Sequence, residues 1–96
     1  MMIRSFLPVG QGAFYCEQFM WNFETERINI VYDCGSSTNV KLVEEQIKNN
    51  FEKDEIIHAV FISHLDEDHI NGIPFLLKYC NVNKIFFPLL TESDAK

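Results

Sequence analysis

The period of the hydrophobic positions changes several times along the chain, and each change marks an element. Residues 2–7 (MIRSFL) alternate loosely and lean toward a strand, after which Pro8, Gly10 and Gly12 impose a tight loop. The aromatic-rich run 13–21 (AFYCEQFMW) and the run 27–32 (RINIVY) suit two strands of a hairpin joined through residues 22–26 (NFETE). Asp33-Cys34-Gly35-Ser36-Ser37 breaks the second strand. Val40, Val43, Ile47 and Phe51 then recur at helical spacing, behind a cap from Ser37, Thr38 or Asn39, with Lys41, Glu44, Glu45 and Lys48 on the solvated face.

Residues 56–62 (IIHAVFI) are almost continuously apolar, the pattern of a strand covered on both faces. A polar segment, residues 63–69, follows at once and reads as a loop. Residues 72–80 then predict a short helix with Pro74 in its first turn, and residues 84–90 a last strand edged by Pro88. The order β-β-β-α-β-loop-α-β predicts an α/β domain, with an antiparallel front and a strand-helix-strand crossover behind it.

A chain of 96 residues provides for one modest core, so it reads as one domain or part of one. Its 47% hydrophobic and 23% charged residues are a globular composition. No stretch approaches the length of a membrane-spanning helix, and the first apolar run is too short for a secretory signal, so no membrane partner is expected. Cys16, Cys34 and Cys80 are odd in number and form no C-x-x-C pair. They predict neither a disulfide framework nor a structural zinc knuckle, and a reducing, cytoplasmic location follows. The formal net charge of -6 argues against a broad phosphate-binding face, although bound divalent cations would offset an acidic cluster.

One such cluster exists. Ser63-His64-Leu65-Asp66-Glu67-Asp68-His69 leaves the buried strand directly, at the kind of strand end where open sheets place their sites. In an extended backbone His64 and Asp66 project to the same side, whereas Asp68 and His69 need a change of direction to converge. Imidazole and carboxylate together fit zinc, manganese or iron, and hydrolytic sites of this kind hold two cations roughly 3.5–4 Å apart around a water. Gly72 would let the following chain pass close by. A single acidic pair would merely face water; four candidate ligands at a strand end point to a metal centre. Outside the cluster, His58 reads as a hydrogen-bonded strand residue, the cysteines as small buried hydrophobes, and Phe14, Tyr15, Phe19 and Trp21 as core or interface.

The pattern His64-x-Asp66-x-Asp68-His69-x-x-Gly72 resembles the H-x-H-x-D-H-x-x-G signature of the metallo-β-lactamase superfamily. Asp33-Cys34-Gly35 resembles the family's D-x-G segment, and Val9-Gly10-Gln11-Gly12 resembles the V-G-Q-G opening of its competence-type DNA-uptake relatives, which also carry Asp at the second ligand position. The resemblance implies an α/β fold, the N-terminal half of an αββα sandwich in which a mixed sheet carries flanking helices. Residues 1–96 would form a single partial domain that lacks the C-terminal half.

By the same resemblance His64 and Asp66 would bind a first metal, and Asp68 and His69 a second. Asp68 would also orient or deprotonate the attacking water, with Asp33 and Gly72 in support. Asp66, standing where most members have His, favours harder ions such as manganese beside zinc, with iron a third candidate. The family's remaining ligands come from its C-terminal half, and these residues offer no candidates for them. The complete protein is therefore expected to hold two divalent cations and to hydrolyse an ester or phosphodiester, nucleic acid included, while the 96 residues alone are expected to be inactive. The missing half would also leave an apolar sheet face for a partner or a second copy in a homodimer. The competing reading is a non-catalytic module for dimerisation or partner binding.

Overall fold

The structure, a computed structural model, describes residues 2–20 and 27–88. In chain order its elements are β1 (Met2–Phe6), β2 (Gly12–Phe19), β3 (Ile28–Ser36), α1 (Val40–Asn50), β4 (Ile56–Ile57), β5 (Ala59–Phe61), α2 (Glu67–Ile70), α3 (Ile73–Tyr79), β6 (Asn81–Val82) and β7 (Ile85–Phe86). The main sheet has the order β1-β2-β3-β5-β7: the first three strands pair antiparallel, and β3, β5 and β7 run parallel. β4 and β6 form a separate parallel pair. The mixed sheet with flanking helices is the α/β arrangement the sequence predicts.

Alternation along β2 and β3 sends Phe14, Cys16 and Val31 to one face, where Val43 and Ile47 of α1 and Leu76 of α3 complete a buried core with Val60 and Ile57. Each aliphatic side chain so enclosed stabilises the fold by roughly 1.5–3 kcal/mol. α1 begins where predicted, because Asn39 stays extended and its side chain accepts the Lys41 N–H at 2.9 Å. It ends at Phe51, which keeps a hydrogen bond to the Ile47 carbonyl while its own backbone has become extended. The antiparallel pairing of β2 with β3 is the expected hairpin; its connection, residues 21–26, lies outside the described residues.

Several predicted boundaries differ from the structure. β3 continues through Asp33-Cys34-Gly35-Ser36 instead of stopping at Tyr32. Phe14 pairs with Cys34 and Tyr15 with Tyr32, so Asp33 is the extra residue of a β-bulge and adopts a left-handed backbone, φ 59°. Asp is among the few side chains that occupy this region at modest cost. The apparent break in the pattern is thus a one-residue slip that returns Cys34 to the core face. The apolar run 56–62 is divided at His58, whose N–H donates to the Asn29 carbonyl while its Nδ1 accepts the Asn29 N–H, so that β4 and β5 join different sheets. The segment predicted as a loop contains the helical turn α2, and the last strand spans only Ile85–Phe86, with residues 89 and 90 outside the described residues.

The opposite sheet face carries an aromatic row with one ring from each strand: Phe6, Tyr15, Tyr32, Phe61 and Phe86, at successive centroid separations of 4.5, 5.5, 5.2 and 4.8 Å. Phe6 is 86% exposed, and Phe61 and Phe86 are exposed as well. Among the described residues no helix is long and apolar enough to cross a membrane.

Candidate metal centre

Ile62, buried and hydrogen-bonded to the Phe86 carbonyl, is the last residue held by the sheet before the chain turns out at Ser63. There the bulge takes effect. Asp33 accepts the Ser63 N–H on Oδ1 at 2.8 Å and the Ser63 hydroxyl on Oδ2 at 2.6 Å. A single left-handed residue on β3 therefore anchors the first residue beyond β5.

The remaining candidate side chains gather around this anchor to different degrees. His64 is exposed, with Nδ1 3.0 Å from Ser63 Oγ. His69, on α2, places Nδ1 3.2 Å from Asp33 Oδ2 and Nε2 3.8 Å from Asp68 Oδ2. Its Nδ1 is buried and makes no hydrogen bond, so it lies beside Asp33 without being bonded to it. The His64 and His69 rings lie 5.1 Å apart between centroids. Asp66 is exposed at the N-cap of α2 and makes no side-chain cap hydrogen bond. The structure thus brings together Asp33, His64, Asp68 and His69, while Asp66 stands at the edge of the group.

α2 is locked to the end of β3. Asn71 accepts the Ser36 N–H at 2.9 Å and donates its side-chain amide to the Ser36 carbonyl at 2.6 Å, and the Gly72 N–H donates to the Cys34 carbonyl at 2.8 Å. Both glycines of the motifs are there for close approach. A Cβ on Gly35 would stand 2.6 Å from the backbone carbonyl of Asp68, and one on Gly72 would collide with Val43 Cγ1 and press on Cys34. Asn71 and Ser63 were not singled out as site residues from the sequence. Ser63 has a signal in its place immediately before the first histidine; Asn71 reads only as part of a turn.

The Val9-Gly10-Gln11-Gly12 loop is tied to the same corner. Ser36 Oγ donates to the Val9 carbonyl, the Gln11 N–H to Thr38 Oγ1 at 2.8 Å, and the Ser37 N–H to the Gln11 carbonyl at 2.6 Å. Beside it runs a cleft of about 350 Å³ lined by Ser36, Ser37, Asn39, Glu67, Asp68 and Asn71. A larger cleft of about 560 Å³ lies at the other end of β3, against Arg27, Glu55 and His58. Its polar groups are already engaged with each other: Arg27 binds Glu55 at 2.8 Å, and Asn29 donates to the same carboxylate at 2.8 Å. The candidate residues named from the sequence lie at the opposite end, around Asp33 and His69.

The donor set fits divalent cations in part. With Asp33 behind the Nδ1 edge of His69, an Nδ1–H ring leaves its Nε2 lone pair 3.8 Å from an Asp68 oxygen, and a cation satisfies two such donors together. Among the described residues no group of three or more His, Cys, Asp or Glu side chains is close enough to enclose an ion, so these residues by themselves do not form a complete coordination shell. Cys34 is not a candidate ligand. It is fully buried, and burial, followed by the nearby Cys80 and Asp33, pushes its thiol far above the ordinary range, so it remains a protonated packing group.

Ribonuclease J of Mycoplasma genitalium is 29% identical over 80 residues, covering 77% of this chain and 14% of that protein. Ribonuclease Z of Ignicoccus hospitalis is 39% identical over 56 residues, covering 58% of this chain and 17% of that protein. The chain therefore spans less than a fifth of the length of these relatives. Two solved structures share the fold. A subclass B3 metallo-β-lactamase from a soil metagenome library has a TM-score of 0.50 at 19% identity, covering 79% of this chain and 27% of the other. A metallo-β-lactamase of Cronobacter sakazakii has a TM-score of 0.50 at 17% identity, covering 85% and 27%. Residues 16–92 match the family described as the metallo-beta-lactamase superfamily, and the chain belongs to that superfamily.

Proposed function

We propose that these residues form the N-terminal part of a metal-dependent hydrolase that acts on phosphodiesters, nucleic acid included. The observation that carries this is the pairing of His69 with Asp33 on one ring edge and Asp68 on the other. In this reading His64 and Asp66 hold one divalent cation, Asp68 and His69 a second, and Asp33 and Gly72 fix their positions. When bound, such cations lower the pKa of a water and offset the negative charge that develops on the substrate. Asp68, half-exposed beside the cleft, orients that water and accepts its proton. Asp33 holds the His69 ring from behind, and Gly72 lets α3 start against β3.

The substrate class rests on the names of the relatives, ribonucleases J and Z, and on the likeness of the Val9–Gly12 loop to the DNA-uptake branch. Asp66 adds an anionic oxygen that favours harder ions such as manganese, with zinc and iron the other candidates. Three buried free cysteines fit a reducing compartment such as the cytoplasm. The test is metal content and phosphodiester hydrolysis by the full-length protein, beside His64→Ala. We expect turnover to fall at least ~100-fold, more than the loss of an outer-shell partner brings; unchanged turnover would overturn the proposal.

The aromatic row favours a second reading, a non-catalytic module that docks a partner or a second copy through the open sheet face. A symmetric dimer that binds neither zinc nor manganese at millimolar concentration would establish it in place of the first.

A further inference from the structure

We infer that Ser63 is a positioning residue that holds His64 in its Nδ1–H tautomer by relaying the Asp33 carboxylate. The inference rests on the reading of His64 as a ligand only for its consequence; the tautomer itself follows from counting protons. Ser63 Oγ carries one hydrogen and lies 2.6 Å from Asp33 Oδ2. That is the separation of a hydroxyl donating to a carboxylate, and two oxygens so close with no proton between them would repel. The hydroxyl hydrogen therefore belongs to the Asp33 contact. Asp33 Oδ1 is occupied by the Ser63 N–H, which keeps the carboxylate in register with the serine.

Ser63 Oγ then has only lone pairs to offer His64 Nδ1, 3.0 Å away, so the imidazole must be the donor. A neutral ring with its hydrogen on Nδ1 has an unprotonated Nε2, the form in which it can bind a cation. His64 is exposed, and an exposed imidazole with no partner exchanges between both tautomers in water. The serine removes that freedom. Asp33 also lies 3.2 Å from Nδ1 of His69, without a hydrogen bond to it, so the relay through Ser63 fixes the His64 ring and not that of His69. Carboxylate partners of ligating histidines act in this way, and their removal lowers metal affinity by roughly 10–100-fold.

The experiment uses the full-length protein freed of metal and labelled with ¹⁵N, and reads the His64 tautomer from long-range imidazole correlations at a pH where the ring is neutral. We expect Nδ1–H in the unaltered protein, a mixture of tautomers in Ser63→Ala, and recovery in Ser63→Thr, which keeps the hydroxyl. Calorimetry with Zn²⁺ should show affinity about tenfold weaker in Ser63→Ala and restored in Ser63→Thr. A serine that only braced the loop would lower stability when removed and leave the tautomer alone. Finding Nε2–H in the unaltered protein overturns the inference without any variant, and so does a folded Ser63→Ala protein that retains Nδ1–H. Failure of the unaltered protein to bind Zn²⁺ overturns the metal reading instead, and leaves the tautomer to be judged by its own spectrum.

Discussion

Asp33 and Ser63 lie 30 residues apart in sequence and are joined by two hydrogen bonds, of 2.8 and 2.6 Å, that use both carboxylate oxygens. One partner is the bulged residue of β3 and the other is the first residue past β5, so the contact couples the backbone irregularity to the start of the histidine motif.

Substitutions at Asp33 should separate its backbone role from its charge. Asn tolerates the left-handed backbone and keeps one acceptor, so Asp33→Asn should cost little stability while weakening metal binding about tenfold. Asp33→Ala loses both acceptors and places an unsuited side chain at φ 59°, which together should cost about 2–4 kcal/mol. Urea denaturation beside Zn²⁺ calorimetry checks both; equal stability of the Asn and Ala variants would contradict the backbone role.

The two close-approach glycines should fail differently. Gly72→Ala drives a methyl mainly against Val43 Cγ1 and also against the Cys34 carbonyl, at 2.9 Å, and overpacking of this kind costs roughly 1–3 kcal/mol. Val43→Ala in the same protein should recover part of that loss, a non-additivity expected of residues in contact. Gly35→Ala meets the Asp68 backbone, which cannot yield without moving Asp68 and His69, so its main effect should be on metal affinity. Stability and Zn²⁺ binding measured on both single variants and on the double variant test the distinction.

What the sequence made legible was local. α1 was readable because Val43, Ile47 and Phe51 sit at helical spacing behind a capping Asn39, signals contained within a dozen or so residues. The donor cluster at residues 63–69 was readable from residue type and from its place after an apolar strand. The Asp33 bulge was not, because it depends on how β2 registers against β3, and the same residues in an unpaired chain look like a strand end. The division at His58 was equally hidden, since it depends on Asn29, 29 residues earlier, taking the place of a regular ladder partner. The Asn71–Ser36 clamp has no sequence signal, as an Asn before Gly reads as a turn wherever it occurs.

Glu55 should dominate part of the acid limb of stability. Burial pushes its carboxyl up, but hydrogen bonds from the Glu52 N–H, Asn29 and Arg27, with the Arg27 charge, outweigh this and hold it below the ordinary value of 4.5. A carboxyl lowered in the folded state adds stability that is complete above its unfolded value and is lost as pH falls through the folded one. Urea midpoints of the unaltered protein should therefore drop faster below about pH 4.5 than those of Glu55→Gln, whose amide does not titrate. Parallel curves for the two proteins would show that the Arg27–Glu55–Asn29 network carries no linked protonation.

The aromatic row gives the remaining prediction, because its five rings form a continuous stripe with three of them exposed. A contiguous exposed apolar stripe of this kind marks a surface that another element covers. Phe61 is the fourth ring of the row, stacked on Tyr32 on one side and Phe86 on the other. Within the described residues Phe61→Lys removes a ring that is 36% exposed and stacked on two neighbours, so the loss there is of ring packing only. In the full-length protein a covered lysine would have to be buried or its cover displaced, and we expect a loss of roughly 2 kcal/mol or more. If the cover is the rest of the same chain, the variant loses stability at constant molecular mass. If it is a second copy, sedimentation velocity will show the variant as a monomer where the unaltered protein is a dimer. A full-length variant with unchanged stability and unchanged mass would mean that the row stays open to solvent, contrary to this expectation.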